Sequence, residues 1–238
     1  MLTLLLEHRM TPMRHSLKSL LATALVALPG LAGAQTVTEP SSKVAFPVEL
    51  EAAGGGRHAL TGVGLRTKTM LKVKVYAFGV YVDPAGAKEK LAGFAGKDAI
   101  ALARDPKLYD ALLALEVPMS LRLVMTRNVG GEDMAEAFDG ALRPRVRQVA
   151  NTLPGGEAAL GTFRGLFSLD KLTKGTALDF SCTPDGTLSS SVGGERKQPI
   201  QSKALCWALF DVYLGPNPIT AEGKRSAIAR LPGILGTR

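Results

Sequence analysis

The feature that most constrains the fold is a long strand-like segment from Lys68 to Asp83, with the sequence KTMLKVKVYAFGVYVD. Successive side chains of a strand point to opposite faces of the sheet, so odd-numbered and even-numbered residues form two rows. From residue 71 onward, the odd row is apolar except for the hydroxyl group of Tyr81, whereas the even row begins with two lysines and then carries Tyr76, Phe78 and two valines. This pattern predicts a strand that is covered on both faces near Asp83 and has a polar fringe near its start.

Shorter strand and helix patterns surround this segment. Strand patterns occur at 43–51, 119–129, 176–182 and 187–192, the last two forming a hairpin. Helix patterns occur at 85–94, 105–116, 132–150, 200–215 and 221–235. Pro47 favours an edge position for the first strand, because proline cannot donate to a sheet ladder. No repeat or linker divides the chain, so we expect one α+β domain over residues 43–238 after a polar, flexible segment at 35–42.

Residues 1–34 have the composition of a secretory signal peptide. Arg14 and Lys18 precede an apolar run, and small residues around Ala32 and Ala34 form a cleavage pattern. The apolar run is too short for a good membrane span. We therefore expect the leader to be removed and the remaining chain, without an integral membrane span, to be exported, most simply to a bacterial periplasm.

The charge of the chain does not indicate a nucleic-acid partner. The net charge is +8 and becomes +6 for residues 35–238, because the leader carries three basic residues and one acidic residue. Part of the positive charge lies in the run RPRVRQ at 143–148, which is expected to be a solvated helix face. Aromatic residues make up 5% of the chain, so few rings are available for base stacking, and no nucleic-acid-binding motif occurs.

The cysteines and the one histidine outside the leader limit the chemistry. Cys182 falls in a strand pattern and Cys206 in an apolar helix pattern. An exported protein can form a disulfide bond between them, but two separately buried thiols are an alternative with at least equal support, because the sequence does not place the Cα atoms within bridging distance. His58 lies in a glycine-rich hairpin region and is expected at the surface. A single histidine also excludes a histidine-rich metal centre.

Motifs for common cofactors are missing. Gly62 and Gly64 precede Arg66, but they lack the third glycine of a nucleotide-binding loop and lead into a strand instead of a helix. The sequence also contains no nucleophile elbow, metalloprotease motif, P-loop or paired-cysteine motif. We therefore expect no cofactor and no metal.

Four segments resemble the chalcone isomerase-like family. They read GVGLR (62–66), KVKVYAFGVYVD (72–83), LRLVMTRNVGGEDMAEAFDGAL (121–142) and KALCWALFDVYLG (203–215). The family includes plant chalcone isomerases, plastid fatty-acid-binding relatives without isomerase activity, and bacterial exported members. The resemblance covers residues 45–232 and implies an open-faced β-sandwich, in which helices pack on one face of a large antiparallel sheet and a ligand lies in the cleft between sheet and helices.

The resemblance also implies a ligand site around Arg66 and Tyr76. Arg66 matches the arginine that meets the anionic group of the family's ligands, and Tyr76 matches a position that is threonine in the isomerases and tyrosine in the fatty-acid binders. A guanidinium group stays charged and fits a carboxylate with two parallel hydrogen bonds, and a phenol can donate another. The implied ligand is a fatty acid or a related carboxylate. The residues expected to line its apolar part are Phe78, Met134, Phe138 and Tyr213.

The chain departs from the isomerases at three positions. Where isomerases carry a second tyrosine and an asparagine, this sequence has Asp133 (or Met134) and Gly140, and Val212 takes the place of a threonine. Isomerisation adds a phenolic oxygen to an enone and needs hydrogen-bond donors where enolate charge develops. The sequence therefore favours a binding protein over the alternative, an isomerase of the chalcone-to-flavanone type that acts on a phenolic enone.

Structural roles are the other alternative for these residues. Arg66 could pair with an acid such as Asp133, because a buried charge needs a partner whether or not a ligand exists. Tyr76, Met134 and Phe138 could be ordinary core residues. The protein would then be a scaffold or interaction protein whose cleft is filled by side chains.

Overall fold

The computed structural model describes residues 35–68 and 73–236, so the predicted signal peptide and Lys72 lie outside the described residues. The strands are β1 (Thr36–Thr38), β2 (Ala45–Pro47), β3 (Glu49–Glu51), β4 (Arg57–Lys68), β5 (Val73–Val82), β6 (Met119–Met125), β7 (Val129–Gly130), β8 (Lys171–Leu172), β9 (Ala177–Cys182), β10 (Thr187–Val192), β11 (Glu195–Arg196) and β12 (Ile200–Gln201). The helices are α1 (Pro84–Lys90), α2 (Ala99–Arg104), α3 (Pro106–Leu113), α4 (Gly131–Gln148), α5 (Gly156–Arg164), α6 (Lys203–Leu214), α7 (Ala221–Ser226) and α8 (Leu231–Leu235). Single 3₁₀ turns lie at Ala92–Phe94 and Gly165–Phe167.

The main sheet is antiparallel, and β5 lies in its interior. The strand order is β11-β10-β9-β6-β5-β4-β3, with β12 also paired to β10. Ladders of β5 with β4 and with β6 run along most of its length. The helices pack on one side of this sheet around the main core, which confirms the predicted α+β class and the large antiparallel sheet.

Both faces of β5 are buried, as its alternating pattern predicts. Tyr76 and Phe78 belong to the main core that the sheet shares with the helices. Ala77 and Tyr81 belong to a second apolar cluster with residues of β2, β3 and β4. Lys74, in the predicted polar fringe, is exposed.

The predicted strand at 43–51 is divided into two. β2 pairs with β1 in a separate two-stranded sheet, and β3 forms one edge of the main sheet. Pro47 ends β2 and therefore lies outside the main sheet. β1 falls within the segment 35–42 that the sequence predicts to be flexible.

Most helices lie where the sequence predicts them, and β9 and β10 form the predicted hairpin. The side chains of Asp83 and Asp105 cap α1 and α3, and each of these helices has a proline in its first turn. α2 and α5 are not expected from the sequence. α2 has only six residues, and α5 begins after Gly155 without a side-chain cap.

Cys182 and Cys206 form a disulfide bond, which decides between the two alternatives left by the sequence. Cys182 is the last residue of β9 and Cys206 lies near the start of α6, with their Cα atoms 5.9 Å apart. Both residues are buried. The bond therefore ties the helix layer to the middle of the main sheet.

His58 is buried, so the expectation of a surface histidine is wrong. It is 4% exposed, and its Nδ1 atom lies 2.8 Å from the hydroxyl oxygen of Ser120, which lies 2.7 Å from that of Ser181. The glycines at 54–56 do form a turn, but β4 begins directly after them at Arg57. His58 is therefore already inside the sheet, where its ring is paired with serine hydroxyls.

We expect His58 to make the protein less stable as the pH falls below about 6.5. Burial lowers the pKa of His58, and the opposing effect of Asp83 is smaller. The unfolded chain therefore binds a proton first, and stability falls between the unfolded and the lower folded pKa, by at most about 1.4 kcal/mol per pH unit. Urea unfolding of the wild type and of His58→Asn from pH 5 to pH 7 measures this slope. The slope should be smaller in the variant, and equal slopes would contradict the assignment to His58.

Candidate functional site

Arg66 and Tyr76 face each other on neighbouring strands. Arg66 lies near the end of β4, Tyr76 lies near the start of β5, and their Cα atoms are register partners. Directly opposed residues of an antiparallel pair present their side chains to the same face of the sheet. The register shifts between Arg66 and Thr67, and an irregularity of this kind bends a strand and redirects its side chains. The sheet itself thus brings the two residues together.

The guanidinium group of Arg66 has no carboxylate partner among the described residues. Its Nη1 atom donates to the carbonyl oxygen of Ile219 at 3.3 Å, which is long for a hydrogen bond. The other half-buried arginines in the described part of the chain, at positions 122, 143, 145 and 164, each form an ion pair. The alternative pairing of Arg66 with Asp133 is not observed. Arg66 is therefore a half-buried cation with N–H groups available to an anion.

Tyr76 and Tyr213 form a buried hydroxyl pair beside this cation. Tyr213 lies in the last turn of α6, and its hydroxyl oxygen is 3.0 Å from that of Tyr76. Burial raises the pKa of Tyr76, although the hydrogen bond with Tyr213 and the charge of Arg66 oppose the shift. Burial also raises the pKa of Tyr213 well above its usual value of 10. Both phenols are therefore neutral at physiological pH, and one hydroxyl proton remains after the two groups share a hydrogen bond.

The ring of Phe78 packs against Tyr213, one member of the tyrosine pair. Its ring centroid is 4.9 Å from that of Tyr213. A Cβ atom at Gly64 of β4 would lie 2.4 Å from the Cζ atom of Phe78, and one at Gly223 of α7 would lie 2.8 Å from it. Glycine at both positions therefore lets β4 and α7 close on the ring. We call Arg66, Tyr76, Phe78 and Tyr213 the head-group cluster.

The connection between α6 and α7 contacts Arg66 and is itself held by an ion pair. The backbone N–H of Ile219 donates to the carbonyl oxygen of Val212 at 2.7 Å. Arg145 of α4 donates to Asp211 through Nε at 2.7 Å and to the carbonyl oxygen of Asn217 through Nη2 at 2.6 Å. The side chains of Arg145 and Asp211 are 17% and 6% exposed, so Arg145 does not lie on the solvated face that the sequence predicts.

Met134 and Phe138 of α4 are buried in the main core, to which the rings of Tyr76, Phe78 and Tyr213 also belong. Phe138 makes its ring contacts with Phe163, Phe167 and Phe180, at centroid distances of 5.3, 5.1 and 5.9 Å. We call these four phenylalanines the aromatic cluster. The structure thus groups four of the six predicted site residues and places Phe138 in a second assembly.

The sequence carries no signal for the groups that contact Arg66 or that hold the α6–α7 connection in place. Ile219 takes part through its backbone carbonyl group, which no side-chain pattern reveals. Arg145 and Asp211 lie 66 positions apart in the chain, and their pairing follows only from the packing of α4 against α6. The one local signal is the pair Pro216 and Pro218, which indicates a break after α6 but not what the break touches.

Other features of the described residues bear on the class of protein. No helix in residues 35–68 and 73–236 combines the length and the apolar character needed to cross a membrane. Within the same residues, no three histidine, cysteine or acidic side chains are arranged to hold a metal ion.

A groove of about 450 Å³ is lined by residues between 162 and 176 and between 192 and 198. None of the six predicted site residues lines that groove.

Comparison with known proteins identifies the family. The model of the family described as chalcone isomerase like matches residues 56–228. Fatty-acid-binding protein 2 from Arabidopsis thaliana is 32% identical over 205 residues, which are 83% of this chain but only 51% of that protein. The chain therefore spans about half the length of this relative.

Two further comparisons cover nearly the whole of the similar protein. Chalcone–flavanone isomerase from Oryza sativa subsp. japonica is 26% identical over 204 residues, covering 81% of this chain and 88% of that enzyme. The crystal structure of a fatty-acid binding protein from Arabidopsis thaliana shares the fold with a TM-score of 0.72 at 24% identity, covering 84% of this chain and 99% of that one. Because the family model also matches most of the sequence, this chain belongs to the chalcone isomerase-like family.

Proposed function

We propose that this protein binds a small apolar ligand with an acidic head, a fatty acid or a related carboxylate, at the head-group cluster. The observation that carries the proposal is Arg66, a half-buried arginine without a carboxylate partner among the described residues, beside a buried pair of neutral tyrosines. The similarity to a relative named as a fatty-acid-binding protein supports a carboxylate ligand.

In the proposed complex the carboxylate accepts two hydrogen bonds from Arg66 and one from the tyrosine pair. It replaces the carbonyl oxygen of Ile219 as the acceptor of the Arg66 guanidinium group. A hydrogen bond between two charged groups is shorter and stronger than one to a neutral carbonyl group, so this exchange favours the ligand. The apolar part then lies against Phe78 and along the core side of α4, toward Met134 and Phe138.

Ligand binding requires side chains to move, because protein atoms fill the head-group cluster. Phe78 is completely buried, and Tyr213 is 1% exposed. The α6–α7 connection, which includes Ile219, contacts Arg66 directly. We propose that this connection moves away from β4 when the ligand binds, at the cost of its contact with Arg66.

The alternative function, isomerisation of a chalcone, has less support at the positions that depart from the isomerases. Asp133 and Gly140 are both exposed on α4. They therefore supply no buried donor for a developing enolate. Turnover of a chalcone faster than its spontaneous cyclisation, lost in Arg66→Ala, would reverse this ranking.

We also propose that the protein acts after export, most simply in a bacterial periplasm. The proposal rests on the signal-peptide pattern of residues 1–34, which ends in small residues at Ala32 and Ala34. The intact mass of the protein purified from a periplasmic fraction tests it. A chain that begins at Gln35 supports export, and an uncleaved chain in the cytoplasmic fraction contradicts it.

Arg66→Ala is expected to weaken the binding of palmitate by about 30-fold or more, since removing one partner of a buried, hydrogen-bonded charge pair costs about 2 kcal/mol or more. Calorimetric titration of both proteins measures the change. Arg104→Ala is the matched control, because it removes the same charge from an exposed position on α2. Equal affinities of the wild type and Arg66→Ala would overturn the proposal.

A further inference from the structure

A groove separate from the head-group cluster lies where α5 and its following 3₁₀ turn meet the end of β10. Its volume is about 450 Å³, within the range of small-molecule sites. One wall comes from the segment 162–176, and the other comes from Val192, Glu195, Lys197 and Gln198. None of these residues takes part in the proposed function.

The wall at 165–172 is fixed by backbone contacts with the start of α4. β8 pairs with β7, with Lys171 opposite Gly130 and Leu172 opposite Val129. A Cβ atom at Gly131 would lie 1.9 Å from the carbonyl oxygen of Leu169, so glycine is required for this close approach. The segment 165–172, which forms this wall, is therefore fixed in position against the start of α4.

The opposite wall is fixed by the β10 and β11 ladder. Val192 pairs with Glu195 across a turn made of Gly193 and Gly194, which both have positive φ angles. The backbone N–H of Gly193 donates to the carbonyl oxygen of Ala177, and that of Lys197 donates to the carbonyl oxygen of Ser190. Backbone hydrogen bonds of the chain itself thus fix both walls.

The lining has an apolar floor and a cationic rim. The side chains of Leu166 and Leu169 are half-buried against the main core, and Leu172 is 1% exposed. At the rim, Lys197 is neutralised by an ion pair with Glu195 at 2.8 Å. Lys171 is exposed and forms no ion pair with any described residue. The net charge of the rim is therefore positive, and that charge is located on Lys171.

We propose that this groove is a second binding site, which takes a small amphipathic monoanion with its apolar body on the leucine floor and its anionic group at Lys171. The charge and the shape of the lining together favour this class of ligand. The site is independent of the head-group cluster, so it can exist whether or not a fatty acid binds at Arg66.

The test is a fluorescence titration of the full chain with 1-anilinonaphthalene-8-sulfonate, an amphipathic monoanion whose emission increases on apolar surfaces. Lys171→Glu is expected to weaken binding by about tenfold, because it reverses the charge next to the anionic group. Lys174→Glu is the matched control, since it makes the same change of net charge at an exposed position that does not line the groove. Leu166→Ser leaves the net charge unchanged. It is expected to weaken binding of the dye because it replaces part of the apolar floor with a polar side chain. Circular dichroism of each variant verifies folding.

The outcomes separate the two sites. Saturable binding that is weakened by Lys171→Glu and by Leu166→Ser, but not by Lys174→Glu or Arg66→Ala, supports the groove. Equal weakening by the two lysine variants would mean general electrostatic attraction and would overturn the proposal. Loss of binding in Arg66→Ala alone would place the dye at the head-group cluster and would also overturn it, as would the absence of saturable binding to the wild type.

Discussion

Replacing Phe180 by alanine is expected to lower the free energy of unfolding by about 3–5 kcal/mol. Phe180 is completely buried on β9, and its ring centroid lies 5.9 Å from that of Phe138 and 5.4 Å from that of Phe163. Deleting the ring removes apolar surface from the core and leaves a cavity, because a close-packed interior relaxes only in part. The effect is large because Phe180 joins the sheet to both α4 and α5.

Urea unfolding measures this loss. Ile100→Ala is a suitable control, because Ile100 is 65% exposed on α2 and its truncation is expected to change stability by no more than about 0.5 kcal/mol. Similar losses for the two variants would mean that the aromatic cluster is not a packed part of the core.

Removing the disulfide bond by replacing Cys182 and Cys206 with alanine is expected to cost about 3 kcal/mol. The two residues are 24 positions apart, so the bond restricts a sizeable loop of the unfolded chain. It also anchors α6, the helix that carries Tyr213, to the sheet that carries Tyr76. Loss of the bond therefore acts on the support of the head-group cluster as well as on global stability.

Thermal unfolding with and without dithiothreitol tests this expectation. The midpoint of the double alanine variant should lie about 6–12 °C below that of the oxidised wild type. Reductant should lower the midpoint of the wild type and leave the variant unchanged. A wild type that is insensitive to reductant under unfolding conditions would contradict a bond between these two cysteines.

Local patterns predict most of the elements of the fold. The alternation in β5 predicts burial on both faces, the spacing of apolar residues predicts α4, and an apolar run predicts α6. Local patterns fail where the element is too short to have a period, as in α2, or where a strand begins immediately after a turn, as at His58. The disulfide bond depends on a distance between two elements that are far apart in sequence, so the sequence leaves it open.

The candidate site can be predicted from the sequence only in part, because some of its contacts join elements that lie far apart in the chain. The residue types at positions 66 and 76 support anion binding because of their chemistry, and the ladder of β4 and β5 makes them neighbours. Tyr213 is 137 residues from Tyr76, and only the packing of α6 on the sheet brings the hydroxyl groups together. The lack of a carboxylate beside Arg66 among the described residues depends on all surrounding elements, so no local pattern could show it.

The most direct test of the central claim is native mass spectrometry of the protein as purified from the producing cells. The wild type and the control Arg104→Ala should each carry an added mass that is released as a carboxylic acid with an apolar chain. Arg66→Ala should lack it. A wild type without any bound carboxylate, or an Arg66→Ala variant that retains the same carboxylate, would contradict binding at the head-group cluster.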